Sequence, residues 1–149
     1  MIVWVDADAC PRAVKEAIFK ACRRLQLRVT LVANSGIAVP RSPLVSLALV
    51  GNAIDAADRH ILEHCARGDL VITADIPLAA AVVDMGGAAI NPNGTVYSPA
   101  NVKEALASRN LLQELRESGI MHGGAAPFGA KERERFANAL DRELTRLRR

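Results

Sequence analysis

Four aspartates give the strongest indication of chemistry in this chain. Asp6 and Asp8 directly follow an apolar run at the N-terminus. Asp75 follows a second apolar run, and Asp58 lies in the first turn of a predicted helix after a third. In open α/β sheets, functional sites form outside the carboxyl ends of the strands. Carboxylates gathered there repel one another unless a cation neutralises them, so the pattern predicts a site for Mg²⁺ or Mn²⁺ that serves phosphate chemistry.

Residues after the second predicted strand are candidates for contacting a substrate. Asn34, Ser35 and Arg41 follow that strand in a segment rich in Gly and Pro, where they could line the same cleft as the aspartates. The alternative is ordinary turn chemistry, in which the Asn and Ser side chains bond to nearby backbone groups.

Each aspartate also has a structural interpretation. Asp8 can cap the first helix or bind a neighbouring backbone amide, and it can join Asp6 as a ligand only if the chain turns between them. Asp75 has the position of a helix N-cap, a role compatible with a metal site at the carboxyl edge. Asp58 can complete a capping box with Asp55. Asp6 is the hardest to explain structurally, because a carboxylate ending an apolar strand is costly without a partner.

The pattern of apolar residues predicts the elements that position these side chains. Strands are predicted at 2–5, 29–33, 44–50, 70–73 and 88–90, with helices between most of them and two more near the C-terminus. The link between the second and third strands is too short for a helical crossover, and a Gly-rich loop at 119–129 precedes the last helix. We therefore expect a three-layer α/β/α sandwich with a mostly parallel sheet and extra C-terminal helices.

Composition indicates one domain over residues 1–149, with a core of about 1–98 and a helical extension of about 99–149. Hydrophobic residues make up 50% of the chain and aromatic residues only 3%, so the core must be aliphatic. Residues 131–149 hold seven Lys or Arg and four Asp or Glu, whereas the rest of the chain holds twelve of each sign. Such a basic tail can attract nucleic acid, or it can be a solvated helix face.

The cysteines and histidines indicate a functional site less strongly than the aspartates do. Three cysteines without C-x-x-C spacing argue against disulfides and favour a reducing, cytoplasmic location, and no apolar stretch is long enough to span a membrane. Cys10 is interpreted as a buried structural thiol. His60 and His64 have a spacing that can bind zinc, but they lack the Glu of a zinc-protease motif.

Three blocks of sequence resemble a known family. The segments 5–11 (Val-Asp-Ala-Asp-Ala-Cys-Pro), 55–61 and 68–79 are similar to signature blocks of the uncharacterised YaiI/YqxD family of bacterial proteins. Arg109, Phe128 and Phe136 continue the likeness, which covers nearly the whole chain.

This family is similar to PIN-like domains, many of which are Mg²⁺- or Mn²⁺-dependent ribonucleases. The resemblance implies a PIN-like sheet with acids at Asp6, Asp58 and Asp75, supported by Thr73 as a substrate-side residue. Asp8 is an additional acid of the family signature. The family supplies no substrate, since it has no established activity.

Three functions follow from these observations. The first is a metal-dependent nuclease acting on RNA or another nucleic acid. The second is a phosphatase of the haloacid-dehalogenase type with Asp6 as nucleophile and Asp8 as general acid, although no later lysine motif supports it. The third is a non-catalytic module that binds RNA or protein; with so few aromatic residues, it would contact the RNA backbone rather than stack on bases.

Overall fold

A computed structural model describes residues 1–119 and 128–148 of the protein. Its strands are β1 (Ile2–Asp6), β2 (Arg28–Ala33), β3 (Val45–Leu49), β4 (Leu70–Ile72), β5 (Ala88–Ile90) and β6 (Val96–Tyr97). Its helices are α1 (Arg12–Leu25), α2 (Ala56–His64), α3 (Ile76–Asp84), α4 (Val102–Glu117) and α5 (Ala130–Leu147). The predicted Gly-rich loop falls largely outside the described residues, since 120–127 are not among them.

The strands form one mixed sheet in the order β3-β2-β1-β4-β5-β6. All neighbouring strands from β3 to β5 are parallel, which confirms the predicted α/β class. β6 is antiparallel to β5 and was not predicted. β6 is only two residues long, which is too short to give a recognisable apolar pattern in the sequence. It directly follows a hairpin turn that is closed by a 2.8 Å bond from Asn91 N to Thr95 O.

The connection from β2 to β3 contains no helix, as the sequence predicted. The two strands are nevertheless parallel, with Val29 opposite Val45 and Leu31 opposite Leu47. The connecting residues 34–44 therefore run back from the carboxyl edge of the sheet to its amino edge without a covering helix.

Helices cover both faces of the sheet and enclose two aliphatic cores. Ile18 of α1 and Phe136 of α5 are fully buried in the first core, and Ile61 of α2 and Leu78 of α3 lie in the second. α4 packs against α3. Only the N-terminal part of α4 is covered, since Val102 is buried whereas Leu111 is 57% exposed. Among the described residues, no helix is long and apolar enough to cross a membrane.

A buried carboxylate joins the first strand to the start of β4. Asp69 accepts hydrogen bonds from Ile2 N at 2.9 Å, Trp4 Nε1 at 3.1 Å and Ala66 N at 2.8 Å. These bonds support the parallel pairing of β1 with β4, which brings the carboxyl ends of the two strands side by side.

Candidate acidic site

Asp6 and Thr73 meet at the carboxyl ends of β1 and β4. Val5 lies opposite Ile72 in the sheet, so Asp6 and Thr73, which follow them in the chain, lie side by side. The Thr73 hydroxyl donates a 2.9 Å hydrogen bond to Asp6 Oδ2. Thr73 is only 1% exposed, whereas Asp6 is half-buried, so this bond is only partly shielded from water.

Asp75 caps α3, as its sequence position predicted. Its Oδ1 accepts a 2.8 Å hydrogen bond from Leu78 N, and Pro77 occupies the first turn, where a missing backbone N–H is harmless. Asp75 N donates a 3.0 Å bond to Thr73 Oγ1. The Thr73 hydroxyl therefore joins the backbone at Asp75 to the carboxylate of Asp6.

Asp58 reaches the same cluster from α2. Burial raises the pKa of Asp58 to about 7, reinforced by the negative charges of Asp75 and Asp6 and by a hydrogen bond with the Asp75 carboxyl group. Asp55 does not form the predicted capping box with it, because the Asp55 side chain makes no cap hydrogen bond and pairs with Arg59 at 3.4 Å.

The charge on Asp6 is also disfavoured. Burial raises the pKa of Asp6, the hydrogen bond from Thr73 opposes that rise, and the charges of Asp75 and Asp8 add to it. Asp6, Asp58 and Asp75 therefore lie near one another in a partly buried site, where burial and mutual repulsion make their charged forms less favourable.

Asp8 lies beside this cluster, but its carboxylate is hydrogen-bonded to the end of β2 rather than to β4. The 3-10 turn Ala7–Ala9 redirects the chain directly after Asp6, which is the turn that the sequence required for both acids to share one site. Asp8 Oδ2 accepts a 2.9 Å hydrogen bond from Asn34 N at the end of β2. One of the structural interpretations, binding of a neighbouring amide, is thereby confirmed for Asp8.

The candidate substrate residues divide into a near and a distant group. Thr73 lies within the acidic cluster, and Asn34, with Ser35 next to it, is attached to that cluster through Asp8. Arg41 lies farther along the 34–44 connection and is exposed. No ion pair joins Arg41 to an aspartate within the part of the chain that the structure describes.

The carboxylate oxygens at this edge are the type of donor that a hard cation prefers. However, no three His, Cys, Asp or Glu side chains within residues 1–119 and 128–148 lie close enough together to form a metal centre. Mg²⁺ commonly keeps several waters and takes one or two carboxylates together with substrate phosphates. The hydrogen-bonded Asp58 and Asp75 are therefore the donors that fit such an ion best.

The other motifs have structural explanations. The rings of His60 and His64 stack at 4.1 Å and lie against Trp4, and His64 Nδ1 is 2.7 Å from His60 O. Cys10 is buried, as predicted, and burial raises its pKa to about 12. Lys15 was not among the predicted site residues; its positive charge partly opposes the rise in the pKa of Cys10.

The fold and this edge define an α/β protein with acidic side chains at the carboxyl end of a parallel sheet. Residues 4–146 match the model of a family described as "Uncharacterized BCR, YaiI/YqxD family", and the chain belongs to that family. The predicted family is thereby confirmed.

Curated relatives resemble the chain along its whole length. A UPF0178 protein of Geobacter metallireducens is 51% identical over 99% of this chain and 95% of its own length. The corresponding protein of Geobacter sulfurreducens is 51% identical over 99% and 98%, and that of Aeromonas hydrophila is 49% identical over 98% and 97%. No solved structure matches the chain.

Proposed function

We propose that this protein is a metal-dependent phosphodiesterase, most simply a ribonuclease, acting at the carboxyl edge of the sheet. The observation that carries the proposal is the convergence of Asp6, Asp58 and Asp75, where burial and then the charges of Asp75 and Asp6 raise the pKa of Asp58 to about 7. Burial and like charges disfavour the charged carboxylates, and a divalent cation or a proton relieves that repulsion.

Asp58 and Asp75 would hold Mg²⁺ or Mn²⁺, with Asp6 contributing charge beside them. When bound, the ion would activate water for attack on phosphorus and neutralise the leaving oxygen. Thr73 fixes the orientation of Asp6, and the Asp75 amide in turn fixes Thr73. Without the ion, the raised pKa lets Asp58 hold a proton near neutral pH, and binding of the ion would release that proton.

RNA is the substrate class that we propose to test first, because the YaiI/YqxD signature resembles PIN-like nucleases. The basic helix α5 packs with α1, whereas Asp58 and Asp75 belong to helices on the other face of the sheet. We therefore assign substrate contacts at the acids to Asn34 and Ser35 rather than to α5.

Cleavage of a labelled single-stranded RNA with Mn²⁺ or Mg²⁺ tests the proposal. We expect activity that disappears in Asp6→Asn and Asp75→Asn and persists in Asp84→Asn. Asp84 ends the helix that Asp75 caps, nine residues and so roughly 13.5 Å away at 1.5 Å per residue, and is exposed, which makes it a suitable control. RNA binding without cleavage, unchanged in Asp6→Asn, would instead support a binding module.

Hydrolysis of phosphomonoesters with Asp6 as nucleophile is the second candidate. It requires Asp8 to donate a proton, but the Asp8 carboxylate already accepts the Asn34 amide. Release of phosphate from p-nitrophenyl phosphate, abolished in both Asp6→Asn and Asp8→Asn, would favour this candidate over the nuclease.

A further inference from the structure

A second cleft lies on the face of the sheet away from Asp58 and Asp75. It has a volume of about 860 Å³ and is bounded by α1, by the end of the 34–44 connection and by α5. This volume falls within the range of pockets that bind cofactor-sized molecules. The acidic site and this cleft are therefore separate surfaces.

Part of the cleft lining is apolar. Phe19 of α1, Leu27 just after α1 and Val45 at the start of β3 line it and are only partly buried, although they pack against the core beneath. These side chains leave apolar surface exposed to solvent, which an apolar ligand would cover.

The charged groups of the cleft leave a positive surplus. Both acids in the lining have partners: Glu16 Oε1 lies 3.3 Å from Arg12 Nε, and Asp141 Oδ1 lies 3.1 Å from Arg24 Nη2. The remaining charged lining residues all carry positive charge. They are Lys20, Arg23 and Arg133, and none forms an ion pair with another described residue.

We propose that this cleft binds a small amphipathic anion, with its apolar body against Phe19, Leu27 and Val45 and its phosphate or carboxylate group between Lys20 and Arg133. Apolar walls with a few convergent polar groups are typical of small-molecule sites, and basic side chains bind either anionic group through charge-assisted hydrogen bonds. This site is independent of the proposed nuclease activity.

Fluorescence titration with 8-anilinonaphthalene-1-sulfonate tests the proposal, since that probe joins an apolar ring system to one anionic group. We expect saturable binding at one site per chain, weakened about tenfold by Lys20→Gln and again by Arg133→Gln. Binding of the uncharged analogue N-phenyl-1-naphthylamine should be insensitive to both changes. Lys103→Gln and Arg142→Gln replace exposed cations outside the cleft and should leave the titration unchanged.

Competition then identifies the anionic group. Displacement of the probe by dodecyl phosphate or by dodecanoate, below their micellar concentrations, supports the site and distinguishes phosphate from carboxylate. The proposal is overturned if the probe binds equally well to the Lys20→Gln/Arg133→Gln double variant, or if only an oligonucleotide displaces it. Asp6→Asn/Asp75→Asn should bind the probe normally, which separates this result from any failure of the nuclease proposal.

Discussion

The hydroxyl group of Thr73 donates a 2.9 Å hydrogen bond to Asp6 Oδ2 across the paired ends of β1 and β4. The same oxygen accepts the Asp75 amide at 3.0 Å, so one buried side chain sets the positions of two acids. An acidic site that depends on hydrogen bonds between strands must be sensitive to the chemistry of this one residue.

Replacing Thr73 with Val keeps the shape of the side chain but removes both hydrogen bonds. We expect the free energy of unfolding to fall by about 1–3 kcal/mol, because the Asp75 amide and the Asp6 carboxylate each lose a buried partner. Loss of the Thr73 donor should also raise the pKa of Asp6 further. Urea denaturation measures the first effect, and Thr73→Ser, which retains the hydroxyl, should recover most of it. Equal stability of Thr73→Val and the unmodified protein would contradict this role.

The high pKa of Asp58 predicts a dependence of stability on pH. Asp58 has a pKa of about 7 in the folded chain against 3.8 for the ordinary group, so the folded chain binds the proton more tightly. The resulting stabilisation is fully present below about pH 4 and is lost as the pH rises through about 7. Without divalent ions, Asp58→Asn should therefore raise the unfolding temperature at pH 8 more than at pH 5.

Thermal unfolding in EDTA at pH 5, 6, 7 and 8 measures this effect. Asp84→Asn, which replaces an exposed carboxylate at the other end of α3, is the control for removing a negative charge from that helix. Identical pH profiles for Asp58→Asn and the unmodified protein would show that folding does not raise the pKa of Asp58.

Asp69 should matter for stability rather than for chemistry. Asp69→Ala removes the acceptor for three N–H groups, including the Trp4 indole, and each buried group left unpaired costs about 1–3 kcal/mol. We expect a loss of at least about 3 kcal/mol in the free energy of unfolding. Trp4 is the only tryptophan, so its fluorescence reports the transition directly. A loss below about 1 kcal/mol would contradict the assigned role.

Alanine substitution at three glycines distinguishes the cost of backbone strain from the cost of steric overlap. Gly94 has φ +95°, and a Cβ there would lie 2.8 Å from the backbone carbon of Arg135 in α5. Gly68 has φ +88° with open space around it, and Gly36 has open space with no unusual φ. Alanine should have little effect at Gly36, cost about 1–2 kcal/mol at Gly68, and cost more at Gly94.

Denaturation of the three alanine variants under one set of conditions gives this order. A Gly94→Ala protein as stable as Gly68→Ala would indicate that the turn at 91–94 moves away from α5 without penalty.

The sequence predicted those features that depend on local pattern. The aliphatic strands and the cap formed by Asp75 follow from periodicity and position, and the structure confirms them. The placement of acids at the carboxyl edge follows from parallel topology, because successive parallel strands end at the same side.

Features that depend on contacts between distant segments were not predictable. Asp69 accepts bonds from residues more than sixty positions away, and nothing in its neighbourhood distinguishes it from an exposed acid. The high pKa of Asp58 arises from burial and from the packing of α2 beside α3, which periodicity cannot measure. The cleft over Phe19 likewise forms only when α1, the 34–44 connection and α5 come together.

Calorimetric titration with Mn²⁺ at pH 8 tests whether Asp58 and Asp75, with the charge of Asp6 beside them, form a cation site. We expect saturable binding by the unmodified protein and by Asp84→Asn, and loss of that binding in Asp58→Asn and in Asp6→Asn/Asp75→Asn. Binding that persists undiminished in the Asp6→Asn/Asp75→Asn protein, or no binding at millimolar Mn²⁺ with RNA present, would contradict it.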